Sequence, residues 1–121
     1  MAKTGDIVPQ FLSESTSGRQ IKVTSTTSSG ATAIHTAVSG SDAVDFITIE
    51  ACNTHSTDVT LTLEWGGTTS PDDHIDLIIT RKTGSVTVVS NRMMNGGLTI
   101  SAYASVADVI TIGGDVRQVT L

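Results

Sequence analysis

Hydrophobic and polar residues alternate along most of this chain after residue 20. In residues 58–67, DVTLTLEWGG, every second residue is apolar until two glycines end the pattern. A period of two predicts a half-buried β-strand, with Leu61 and Leu63 on the core side and the intervening residues on a polar face. The Gly66-Gly67 pair predicts a turn, because glycine accepts backbone angles that other residues avoid.

Shorter stretches of the same alternation predict further strands. They lie at residues 21–27, 31–38, 43–53, 74–80, 85–90, 98–104, 108–114 and 115–121. Residues 54–57 are short enough to join strand 43–53 to the strand that follows as a hairpin. Gly113-Gly114 is predicted to be a turn between the last two strands, as is Gly96-Gly97 before strand 98–104. No stretch keeps a helical period over three turns.

Many short strands at this spacing predict an all-β fold, an antiparallel β-sandwich or jelly roll. A chain of 121 residues fits one domain of ordinary size. We expect residues 21–121 to form that single domain, with Ile49, Leu61 and Leu63 buried between its sheets. Residues 1–20 are polar and irregular, and we expect them to form a short extended arm.

The arm carries a few apolar groups in an otherwise polar run. A partly disordered tail and a segment that orders on a partner are both compatible with this composition. Pro9 favours extended geometry at its neighbour, which suits a segment lying along a surface. The second interpretation predicts an arm that is mobile in the free protein and docks in an assembly. The candidate partner-binding residues are Ile7, Val8, Phe11 and Leu12.

Composition and charge exclude several classes of function. The chain carries 12 acidic and 7 basic residues, a net charge of -5, so nucleic acid is not an expected partner. Cys52 is the only cysteine, which rules out an internal disulfide and favours a small buried apolar role. No segment has the length and apolar character of a signal core or membrane span, so we expect synthesis in a reducing cytoplasm and no membrane partner.

Candidate chemistry is sparse. His35, His55 and His74 are too widely spaced for a familiar metal-ligand pair, and we expect them at the surface or the rim. The acidic loop at residues 72–76 offers oxygens to a hard cation, but without the spacing of a calcium loop, so solvation is the expected role. No serine lies in a nucleophile elbow, and no glycine pair has the context of a phosphate loop. We therefore expect no enzyme activity, no catalytic residue, no cofactor and no metal.

Aromatic residues leave one alternative open. Trp65 is expected to be a core or rim residue near the end of its strand. A ligand-stacking role is the alternative, in which Trp65, Tyr103 and the loop at residues 72–76 form the site of a carbohydrate-binding module. Aromatics make up only 3% of the chain, so such a site has few companions for stacking.

Three segments carry a resemblance to a known family: IHTAVSGSDAVDFITIEACNT, LTLEWGGTTSPDD and LTISAYASVADVITIGGDVRQ. They resemble a family of small virion structural proteins of tailed bacteriophages, and the resemblance extends over the whole chain. Its motifs are structural and carry no catalytic residues. The resemblance implies a β-sandwich that decorates or cements a capsid, or that completes the neck or tail.

The leading hypothesis is therefore a capsid decoration protein on the virion head surface. Its expected partners are the major capsid protein and further copies of itself, with a trimer near local three-fold axes favoured. A ring or fibre-attachment subunit of the neck or tail is the second hypothesis, and the carbohydrate-binding module is the third. An acidic surface would keep free copies soluble before they bind.

Overall fold

The computed structural model describes residues 4–121, which form nine β-strands and no helix. The strands are β1 (Ile7–Gln10), β2 (Ile21–Lys22), β3 (Thr32–Thr36), β4 (Ala43–Asn53), β5 (Val59–Trp65), β6 (His74–Ile79), β7 (Val86–Met94), β8 (Thr99–Ala104) and β9 (Ile110–Thr120). All strand pairs are antiparallel, and two sheets pack face to face. The predicted β-sandwich is confirmed.

The two sheets differ in size and in strand order. The five-stranded sheet has the order β1-β9-β4-β7, with β2 also paired to β9. The four-stranded sheet has the order β3-β8-β5-β6. Since β4 and β5 belong to different sheets, the predicted hairpin between them is wrong. The loop at residues 54–57 instead carries the chain from one sheet to the other.

The core lies between the inner faces of the two sheets. Ile47, Ile49 and Ala51 of β4 and Leu61 and Leu63 of β5 are all fully buried. They alternate along their strands, as the sequence predicts, because successive side chains of a strand point to opposite faces. Branched aliphatic residues of β3, β8 and β9 complete the core: Ile34, Ile100, Ile110, Ile112 and Val116.

Gly113 and Gly114 do not form the predicted turn. They lie inside β9, which continues as one strand from Ile110 to Thr120 and pairs with β4 along its whole length. A Cβ atom on Gly114 would overlap the carbonyl oxygen of Thr48, and its φ is +150°. Glycine is required here because β4 approaches β9 too closely for any side chain.

The N-terminal segment is part of the fold, in contrast to the predicted separate arm. β1 pairs with β9, and Ile7 lies opposite Val119. Leu12 follows β1 and is 1% exposed, within the hydrophobic core. The described part of this segment therefore packs on its own sandwich, the predicted mobility in the free protein stays a prediction, and residues 1–3 lie outside the described residues.

Candidate functional site

The four predicted partner-binding residues have different environments. Ile7, Val8 and Phe11 are exposed, with 64% of Ile7 and 60% of Phe11 accessible. Leu12 packs inside the chain's own core, so its assignment as a partner-binding residue is wrong. The reason is that the extended segment docks on its own sandwich and uses Leu12 to do so. Three candidates remain accessible to a partner.

Ile7 belongs to an apolar row on the outer face of the five-stranded sheet. The register aligns Ile7 of β1 with Val119 of β9, and Val119 with Val44 of β4. Residues directly opposite each other in antiparallel strands share a face. Val116 is buried in the core, and Val119 lies three positions after it on the same strand. Because side chains alternate between the two faces of a strand, Val119 and its row point to the outer face.

A second row lies beside the first. Pro9, Arg117, Phe46 and Met93 are aligned across β1, β9, β4 and β7. Four adjacent strands span about 14 Å at the usual strand spacing. We call the accessible apolar members of both rows the N-terminal patch: Ile7, Pro9, Phe46, Met93 and Val119. Val44 has the same outward direction on β4 but is only 4% exposed. Met93 is largely exposed, and Arg117 is the charged residue within the second row.

A buried polar relay fastens the N-terminal segment to the sandwich. The Ser13 backbone N–H donates to Nδ1 of His35 at 2.9 Å, and Nε2 of His35 lies 2.9 Å from Oδ2 of Asp45. Because Nδ1 accepts a hydrogen bond, Nε2 carries the proton and donates to Asp45. Asp45 Oδ2 also accepts from the Val38 N–H, and Asp45 Oδ1 from the Gln118 amide.

Ser13, His35 and Asp45 meet in the order of a hydrolase triad, but their other bonds favour a structural role. The Ser13 hydroxyl lies 2.8 Å from His35 Nδ1, whose lone pair already accepts from the Ser13 N–H. The same hydroxyl accepts from the Thr36 N–H and lies within bonding distance of the Thr36 carbonyl. A general base needs a lone pair free to take the proton of the nucleophile. We interpret the relay as a structural contact that holds the N-terminal segment against both sheets.

The relay was not predictable from the spacing of its residues. His35 is buried, and its expected surface position is wrong. The register of β3 against β8 shifts between Ala33 and His35, so that Ile34 and His35 are both buried. A β-bulge of this kind turns an additional side chain inward. Nothing in the local alternation of residues 31–38 marks the position of the bulge.

The two aromatic rings of the hypothetical carbohydrate site do not lie on the same face of the sheet. The Trp65 side chain lies on the same core-facing side of β5 as those of Leu61 and Leu63. Tyr103 lies opposite Thr62, on the other face of the same sheet. Trp65 is partly buried against the core, and the Arg92 guanidinium lies 5.3 Å from its ring centroid. Tyr103 instead contacts His74 edge to face. Two rings on opposite faces cannot stack on one sugar.

Two carboxylates of the acidic segment at residues 72–76 already accept hydrogen bonds. Asp73 Oδ2 accepts from the Thr69 N–H, and Asp76 Oδ1 accepts from the Thr62 hydroxyl. Asp72 is exposed. Within residues 4–121, no three His, Cys, Asp or Glu side chains are grouped so that they could hold a metal ion.

Cys52 lies on the outer face of β4 and is half-buried, so the expected fully buried position is wrong. Its Sγ lies 3.7 Å from the Gln20 side-chain nitrogen.

The described part of the chain forms no helix that is long and apolar enough to cross a membrane.

Comparisons with known proteins return no relative: no family model, curated protein or solved structure matches the chain. The resemblance to phage virion proteins therefore stays a prediction from the sequence. The surface features described above are the structural basis for any proposal about function.

Proposed function

We propose that this chain is a bacteriophage virion structural protein that decorates the assembled head. In this proposal it docks on the major capsid protein through the N-terminal patch. The observation that carries the proposal is the patch itself, a mainly apolar surface across four strands on the outside of a sheet, with Arg117 inside its second row. Apolar patches that extend over several neighbouring side chains commonly mark surfaces that bind other proteins.

The edge next to the patch favours docking by the face of the sheet over strand addition. β1 is a short edge strand of four residues, and it contains Pro9, which has no N–H to donate. Short edge strands and proline both disfavour pairing with a strand from another chain. The patch beside this edge remains accessible, with Ile7 and Met93 largely exposed.

Binding to an assembled shell gives a physical reason for such a protein. A protein that binds the assembled state and not free subunits stabilises the assembly by mass action. Symmetric repetition of the shell adds many weak contacts, and a trimeric arrangement would let each molecule make three of them. The polar relay of Ser13, His35 and Asp45 would keep β1 in place, so that the patch is formed before docking.

Copy number tests this proposal and separates it from a neck or tail position. The chain is quantified against the major capsid protein in purified virions by mass spectrometry. Copies on the order of hundreds per particle support head decoration, whereas about six or twelve would indicate a ring component. Absence of the chain from the particles would contradict a virion role altogether.

A further inference from the structure

Glu64 is a carboxylate buried on the outer side of a sheet. It lies on the central strand β5, opposite Ser101 of β8 and His74 of β6. Alternation places it on the polar side of β5, which predicts exposure to solvent, yet it is 1% exposed. A carboxylate that has lost its hydration needs hydrogen-bond donors for both of its oxygens.

The two oxygens of this carboxylate differ in what surrounds them. Oε2 accepts a hydrogen bond from the Ser28 hydroxyl, and Nε2 of His74 lies 3.4 Å from the same oxygen. Oε1 is buried and has no hydrogen-bond partner in residues 4–121. An unpaired acceptor on a buried carboxylate is unfavourable, so Oε1 marks a place for a donor that the chain does not itself supply.

An open cavity of about 260 Å³ reaches Glu64. Two segments line it: residues 66–68, which follow β5, and residues 97–99 with Ser101, where β8 begins. A side chain on Gly67 would overlap the carboxylate of Asp73, so a second acidic group lies directly beside the lining. The glycine pair that ends the alternation of β5 therefore forms one wall of a cavity with Glu64 in it.

The chemistry of the lining favours a cation on an apolar stem. Glu64 is the only ionisable side chain among the residues that line the cavity, so no basic group there balances its charge. A hydrogen bond from a cation to a carboxylate is about twice as strong as one between neutral groups. Leu98 is 48% exposed and gives the cavity an apolar wall, against which methylene groups can pack.

We propose that this cavity binds a primary ammonium group carried on a short alkyl chain, with Oε1 of Glu64 as its acceptor. The same chemistry belongs to a free alkylamine and to the lysine side chain of a partner protein. An ammonium group has three N–H donors, and the hydroxyls of Thr68, Thr99 and Ser101 add acceptor oxygens to the lining. A sugar fits less well, because no aromatic ring lines the cavity.

The ammonium site is independent of the proposed virion function. Glu64 points outward from the four-stranded sheet, whereas the N-terminal patch lies on the outer face of the five-stranded sheet. Amine binding by the purified chain tests the cavity, and occupancy on virions tests the patch. Failure of one therefore leaves the other unaffected.

The test is a titration of the isotope-labelled full chain with butylammonium chloride, followed through the backbone amide resonances of residues 66–68 and 97–99. Butanol, which has the same stem without the charge, and glucose are the neutral comparison ligands. Glu64→Gln removes the charge and keeps the shape of the side chain. Glu50→Gln is the matched control, because Glu50 is a half-buried strand glutamate of the other sheet that also accepts from a serine hydroxyl, that of Ser85.

A second pair of variants blocks the cavity and leaves Glu64 in place. Thr99→Phe fills part of the cavity from an exposed strand position, and Thr60→Phe adds the same ring at an exposed position of β5 outside the cavity. This pair decides the outcome if Glu64→Gln does not fold. Circular dichroism checks that each variant keeps the β-fold.

We expect saturable binding of butylammonium to the wild type, at least about tenfold weaker binding in Glu64→Gln and Thr99→Phe, and wild-type binding in both controls. Tighter binding of Nα-acetyl-lysine amide than of diaminobutane would indicate a protein side chain as the natural source, and the reverse a free amine. Butanol or glucose binding as tightly as butylammonium would overturn the proposal. So would binding that survives Glu64→Gln, or resonance shifts that lie outside the two lining segments.

Discussion

His35 and Asp45 join the two sheets of the sandwich through one buried hydrogen bond. Nε2 of His35, on β3 of the four-stranded sheet, lies 2.9 Å from Oδ2 of Asp45, on β4 of the five-stranded sheet. Ser13 extends the contact to the N-terminal segment. A polar contact in this position fixes which segment lies where, because its partners cannot be exchanged without leaving a buried group unpaired.

Replacing Asp45 by Ala should therefore destabilise the protein by about 2–4 kcal/mol, since His35 and the Val38 N–H lose their acceptor inside the protein. Chemical denaturation monitored by circular dichroism measures this change. Asp42→Ala, at an exposed position in the preceding loop, is the control and should change stability by less than about 0.5 kcal/mol. Equal losses of stability in the two variants would show that the relay does not contribute more to the free energy of unfolding than an exposed carboxylate does.

Leu12 and Phe11 should respond in opposite ways to truncation. Leu12→Ala should cost about 2–5 kcal/mol, because its side chain is fully buried in the core. Phe11→Ala should cost less than about 1 kcal/mol, because most of its ring is exposed. Thermal unfolding of the two variants gives the comparison, and a harmless Leu12→Ala would restore the idea of an independent arm.

The centre of the core gives a prediction that depends on the sandwich as a whole. Leu63 is completely buried, and Leu63→Ala should destabilise by about 2–5 kcal/mol. Leu98→Ala removes the same atoms from a half-exposed side chain and should cost much less. An unchanged melting temperature for Leu63→Ala would be incompatible with two sheets packed on this residue.

The neighbouring residues Gly114 and Gly113 should differ in how well they tolerate substitution by alanine. Gly114→Ala should cost about 2–5 kcal/mol, because its new methyl group would overlap the Thr48 carbonyl oxygen and its φ of +150° suits only glycine. Gly113→Ala is the control, since its Cβ would lie 3.6 Å from a Gln20 carbon in ordinary contact. Similar stability of the two variants, measured by urea denaturation, would contradict the close approach of β4 and β9.

Alternation predicts strands well and predicts their partners poorly. The bounds of β4 match the prediction at 43–53, and the prediction that Ile49, Leu61 and Leu63 are buried is confirmed. The hairpin expected across residues 54–57 is wrong, because a period of two identifies the buried face of a strand and contains no information on which strand lies beside it. Sheet order depends on contacts between residues far apart in the sequence.

The candidate sites depended on effects that the local pattern cannot encode. Glu64 lies on the side of β5 that alternation predicts to be exposed, but the loop that carries Ser28 covers it. His35 is buried because a bulge shifts the register of β3. Composition marked Ile7, Val8, Phe11 and Leu12 alike as apolar residues of a polar segment, and it could not show that Leu12 alone is buried. The rows that connect Ile7 to β4 required the register of three strands.

Docking through the N-terminal patch is the central claim, and a matched pair of substitutions tests it most directly. Ile7→Asp places a charge in the patch, while Ile78→Asp places the same charge on the opposite outer face, where Ile78 is 74% exposed on edge strand β6. Neither side chain belongs to the core, so both variants should fold like the wild type. Burying a charge against an apolar surface is unfavourable, so only the first change should impair docking.

The measurement is the number of bound copies per particle after virions lacking the chain are incubated with purified wild-type, Ile7→Asp or Ile78→Asp protein. We expect wild-type occupancy for Ile78→Asp and a loss of at least about tenfold for Ile7→Asp, which corresponds to about 1.4 kcal/mol per site. Full occupancy by Ile7→Asp, or loss of occupancy by Ile78→Asp alone, would contradict docking through the N-terminal patch.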